Sequence, residues 1–168
     1  RAGILADAED IRRQMRAIAE PVPTGTAPGA TDPRVTAAST WSKRFDKTHG
    51  GFDRGPKFLR PNVLSFLLHH GVRRGDKTLL ENVYRTLDRM AAGGVRDQLG
   101  GAFHRYAVDR FWQTPHFEIM LDENAMLARL YLEAYQASAR PRYAAVARAI
   151  LDDLLARFRL PDGGFASA

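Results

Sequence analysis

The chain has 168 residues, 45% hydrophobic and 26% charged, which is enough to close a core of its own. No stretch approaches the roughly 18 consecutive apolar residues of a membrane span, so a membrane-spanning class is excluded. The 25 Lys and Arg outnumber the 19 Asp and Glu by six, too thinly spread for a nucleic-acid face, and the lack of cysteine excludes disulfide scaffolds and thiolate metal sites.

In chain order, Ile4, Ile11, Met15 and Ile18 recur at helical spacing, predicting a first helix that ends at Pro21. Residues 21–32 mix Gly and Pro with Thr and Ala and read as a linker. Asp32-Pro33 resembles an N-cap with proline at the first helical position, and Val35, Ala38, Trp41 and Phe45 carry a second helix to about 48–50. Pro61 opens a third, with Val63, Leu64, Phe66, Leu67 and Leu68 before a stop at Gly71. Asp76 caps a fourth, whose Leu79, Leu80, Val83, Tyr84, Leu87 and Met90 run until Gly93-Gly94. A fifth stripe runs from Phe117 and Met120 through Leu127 and Tyr131 to Tyr135, and a sixth from Tyr143 to Phe158. No segment remains for a parallel sheet.

A punctuation repeats along this pattern. Gly50-Gly51-Phe52, Gly100-Gly101-Ala102-Phe103 and Gly163-Gly164-Phe165 bracket pairs of helices, so the unit is helix, turn, helix, glycine loop. Stacked hairpins of this kind build either an open solenoid or a closed ring, with the loops on one face.

Polar residues able to do chemistry gather in one loop: Asp97, Gln98, His104, Arg105, Tyr106, Asp109, Trp112, His116 and Glu118. Two imidazoles near carboxylates can divide acid and base work, which nominates His104 and His116 with Asp109 and Glu118 as catalytic candidates. Trp112, Tyr106, Phe103 and Phe117 offer flat faces beside hydrogen-bonding groups, which suits a sugar ring. Lys57 is a loop cation that could meet a carboxylate or phosphate but reads first as solvated. His69 and His70 are adjacent on one helix, about 100° apart around its axis, and no third ligand stands at metal spacing, so neither metal nor cofactor is expected.

The runs Gly50-Gly51-Phe52 with Gly55-Pro56-Lys57-Phe58, Asp97-Gln98-Leu99-Gly100-Gly101, Phe103-His104-Arg105-Tyr106, Trp112 and Pro115-His116-Phe117-Glu118 resemble the signature of the YyaL-type thioredoxin-domain-containing family, which includes spermatogenesis-associated vertebrate members. That resemblance implies an all-α chain of helical hairpins forming about half of an (α/α)6 toroid, related to N-acylglucosamine 2-epimerase and other six-hairpin carbohydrate enzymes. Residues 1–32 would then be the linker helix and loop after a thioredoxin-like domain, and 33–168 the first half of the toroid. The chain opens on Arg1 and stops in a loop-like run, 161–168, so a piece of a longer protein is expected. It departs from the family at Ile119, Asp122 and Glu123, where Lys, Tyr and Asp are usual, and at Ala102, where glycine is.

The expected function is binding of a carbohydrate or similar polyhydroxylated ligand, with epimerase or isomerase chemistry. His104 and His116 would exchange the proton, Arg105 would hold the carbonyl oxygen or a carboxylate, and Tyr106, Trp112, Asp97, Gln98, Lys57 and Asn124 would complete the substrate contacts. Two alternatives stand beside it: a glycoside hydrolase working through Asp97 and Asp109, and a non-catalytic module that binds a protein or glycan. A cytoplasmic location, no nucleic-acid or membrane partner, and self-association of the half-ring are expected.

Overall fold

A computed structural model describes residues 2–19 and 32–168, with side chains for 7–16 and 32–168. The chain divides into two compact units, Arg1–Asp32 and Pro33–Ala168. The first contains α1 (Ala2–Ala19), whose Glu9–Arg12 and Asp10–Arg13 pairs lie one turn apart on its exposed surface. Its apolar stripe is not covered within this unit at Ile11 and Met15, which are exposed, while the side chains of Ile4 and Ile18 and the linker expected after Pro21 lie outside the described residues.

The second unit is built from α2 (Pro33–Ser42), α3 (Pro61–Arg74), α4 (Lys77–Ala92), α5 (Leu121–Ser138) and α6 (Pro141–Arg157). α5 lies along α6, and α3 packs against both α4 and α5. Their facing stripes supply the core: Leu64, Leu67 and Leu68 from α3, Val83, Leu87 and Met90 from α4, Leu127 and Tyr131 from α5, and Ile150 from α6, all fully buried. The Tyr131 hydroxyl crosses this core to donate to the Leu87 carbonyl at 2.8 Å. Asp76 caps α4 by accepting from the Leu79 amide, as its position before the helix predicts. Among the described residues no helix is long and apolar enough to cross a membrane.

Three boundaries differ from the sequence reading. α2 stops at Ser42, because Phe45 turns out of the helical path to bridge Phe52. α3 runs past Gly71 to a left-handed cap at Gly75. A Cβ at Gly71 would come within 2.9 Å of the Leu80 side chain, so this glycine lets α4 approach α3 rather than ending the helix. α5 begins at Leu121, leaving Phe117 outside it and 82% exposed. The structure also adds a small antiparallel ribbon of β1 (Lys57–Phe58), β2 (Tyr106–Ala107) and β3 (Pro115–His116), in that order across the sheet.

Candidate functional site

The glycine loops share one construction. In the first, the Asp46 amide donates to the Gly51 carbonyl and the Gly50 amide to the Asp46 carbonyl, while Asp46 Oδ1 accepts from the amides of Thr48 and His49. In the second, Asp97 repeats every contact with Ala102, Gly101, Leu99 and Gly100. The recurring element is thus an aspartate six positions before the phenylalanine, and Gly50 and Gly101 occupy the same positive-φ place in it. The third loop is one residue shorter, with Leu160 where the aspartate stood.

Register explains the ribbon's outer face. Phe58 pairs with Tyr106 and Tyr106 with His116, so three cross-strand neighbours fall on one side and their rings stack at 4.9 Å, with interplanar angles of 24° and 16°. Just beyond His116, Glu118 Oε2 accepts from Arg105 Nη1 at 2.9 Å and stands 3.9 Å from His116 Nδ1. One carboxylate therefore faces both a guanidinium and an imidazole, next to an exposed aromatic stack. His104 lies on a separate cleft of about 420 Å³ with Asp97, Phe117, Arg157, Phe158 and Ala166. Burial holds this imidazole below its ordinary pKa, against the pull of Asp97, so it is neutral at pH 7, and its Nδ1 is buried with no partner among the described residues.

Other candidates are committed to the scaffold. Trp112 was expected to stack on a ligand but is fully buried, and its indole donates to the His49 carbonyl at 2.9 Å. Lys57 is neither solvated nor open to a ligand: its ammonium is fully buried among Asp46 Oδ2 and the carbonyls of Gly50 and Asp53. Asn124 is 1% exposed and pairs with both the amide and the carbonyl of Phe103. The Gln98 amide donates to the Ala91 and Gly93 carbonyls, closing the end of α4. Asp109 accepts from the amides of Phe111, Gln113 and Thr114 within its own turn. Burial raises its pKa, but those amides outweigh it and hold the carboxyl below its ordinary value.

Two acidic residues carry more than the sequence reading gave them. Asp46 binds Lys57 and Arg110, and its equivalence to Asp97 is visible in the shared spacing to phenylalanine. Glu123, in the first turn of α5, has its pKa pushed up to about 7, mainly by burial and then by Asp122, with Arg105 opposing. Because the native carboxyl holds its proton more tightly than the unfolded one, stability falls as pH rises from about 4.5 to about 7. Glu123→Gln should therefore match the wild type near pH 4 and exceed it by about 1–3 kcal/mol at pH 8 in urea unfolding. A difference independent of pH would show that the Glu123 pKa is the same in the folded and unfolded chain.

No protein-family model matches the chain. Spermatogenesis-associated protein 20 of Homo sapiens is 41% identical over 128 residues, covering 74% of this chain and 16% of that protein. An uncharacterized protein of Caenorhabditis elegans is 34% identical over 130 residues, covering 74% of this chain and 18% of its own length. The chain thus spans less than a fifth of the curated relatives it matches. Among solved structures, a sugar epimerase from a ruminal bacterium superposes with a TM-score of 0.70 at 17% identity, over 78% of this chain and 36% of the epimerase. The cellobiose 2-epimerase of Spirochaeta thermophila gives 0.68 at 21% identity, over 86% and 41%. A GH76 alpha-mannanase of Bacteroides thetaiotaomicron gives 0.63 at 15% identity, over 76% and 38%. At these identities the likeness is one of fold, and it places the hairpins in the (α/α)6 toroid class, of which the chain forms about half.

Proposed function

We propose that the toroid to which this chain contributes binds a carbohydrate through the glycine-loop face and moves a proton at a carbon next to a carbonyl, as an epimerase or isomerase does. The observation that carries this reading is the meeting of His116, Glu118 and Arg105 beside the Phe58–Tyr106–His116 stack. The stack offers apolar surface at its exposed Phe58 end, Arg105 a donor for a developing enolate oxygen, and His116 a base with the Glu118 carboxylate 3.9 Å away. His104, its pKa lowered by burial, is a second imidazole of the same loop on its own separate cleft. Neighbours named as sugar epimerases support the ligand class.

A hydrolase working through Asp97 and Asp109 draws less support, because both accept backbone amides and are held below the ordinary carboxylate pKa. Neither supplies the protonated acid that glycoside cleavage requires.

The test is deuterium incorporation at C2 of glucose, N-acetylglucosamine and cellobiose, followed by NMR in D2O with the complete protein. Exchange on at least one sugar is expected, falling by about 100-fold or more in His116→Ala with the unfolding midpoint little changed. No exchange on any of the three, together with no sugar-dependent rise in melting temperature, overturns the reading in favour of a protein-binding module.

A further inference from the structure

We propose that the concave surface beside the first glycine loop is a binding site for a small phosphate-bearing ligand. The cavity encloses about 530 Å³ and is lined by Lys43, Arg44, Lys47, Arg54 and Arg110. Only two carboxylates, Asp46 and Asp53, share it, and both are spent within the protein. Asp53 is held by Arg44 through both oxygens, and Asp46 by Lys57, Arg110 and two backbone amides. Lys43, Lys47 and Arg54 have no carboxylate partner among the described residues. Moreover, Arg110 Nε is buried and meets no acceptor among them, although its Nη2 is anchored 2.9 Å from Asp46. The Arg110 side chain is 35% exposed, so its guanidinium can offer an anion the N–H groups that Asp46 does not take.

Several cations around one hollow suit a compact, doubly charged group that several donors reach at once. A long polyanion would need cations aligned along a face, and here they converge. The site is independent of the proposed sugar chemistry. Arg110 stands in the tip of the β2–β3 hairpin, whereas Arg105 and Glu118 stand at its open end, so either reading can fail without the other.

Calorimetric titration of the complete protein with inorganic phosphate and with glycerol 3-phosphate, at constant ionic strength against chloride, tests the assignment. Saturable one-to-one binding with a Kd of about 1 mM or tighter is expected for at least one of them, and the tighter of the two tells a free ion from a phosphate ester. The double variant Lys47→Ala/Arg54→Ala should weaken it at least tenfold with an unchanged unfolding midpoint, because both side chains are exposed. Binding that is absent, non-saturating or unaffected by the double variant overturns the site. So does a 12-nucleotide single strand that binds more than tenfold tighter than either phosphate under the same conditions.

Discussion

Lys57→Met should destabilise the protein by about 3–5 kcal/mol, read as a lower urea midpoint at unchanged slope. Methionine fills the space of the lysine stem but brings no donor. The Gly50 and Asp53 carbonyls, which receive the ammonium at 3.0 and 2.7 Å, would stay in the interior without it. Asp46 would lose its 3.1 Å partner and rely on Arg110 and the amides of Thr48 and His49. Burial pushes the Lys57 ammonium below the ordinary lysine pKa, and Asp46 offsets part of that, so the folded loop carries the cost of holding this cation inside. A loss under 1 kcal/mol would mean that Arg110 and the backbone amides hold Asp46 and its loop without the lysine.

Trp112→Ala should cost about as much, 3–5 kcal/mol, through the cavity it leaves and the orphaned His49 carbonyl. The surroundings are shaped to this indole and cannot close over the gap. A Cβ on Gly51 would stand 2.5 Å from Trp112 Cζ2, and one on Gly93 2.4 Å from the Trp112 carbonyl, so two backbone segments already lie at the limit of approach. Trp112 itself holds a left-handed φ of 67°, a conformation that a bulky residue keeps only when packing fixes it. Trp112→Phe should recover part of the stability by restoring area without the hydrogen bond. Equal stability of the phenylalanine and alanine variants would show that the ring contributes no packing.

These two residues also show where sequence reasoning reaches and where it stops. The four long helices of the second unit are legible because burial imposes a 3.6-residue period on Leu79 to Met90 or Tyr143 to Phe158, whatever the partner surface is. Two-residue strands impose no period, so Phe58, Tyr106 and His116 could not be foreseen as neighbours. Lys57, Asn124 and Gln98 look like ligand-binding residues in a sequence, since polarity is local information and burial is not. What they satisfy lies elsewhere: Phe103 for Asn124, the end of α4 for Gln98, the glycine loop for Lys57. His116, Glu118 and Arg105 fall in the nominated loop because they are close in sequence, but so do His104 and Asp109, which the fold sets apart, and the pairing of Asp46 with Arg110, 64 positions away, left no local signal.

That last separation has a consequence for how the chain is made. The first glycine loop leaves the ribosome well before the β2–β3 tip, which supplies Arg110 to Asp46 and Trp112 to His49 across 64 and 63 positions. At ordinary elongation rates the interval is roughly 3–13 s. During it the nascent loop has its lysine but neither the arginine nor the indole that completes it. A pause in translation between those two points would prolong a state in which the pocket for Trp112 is open and apolar, and that interval is when a chaperone would have something to hold.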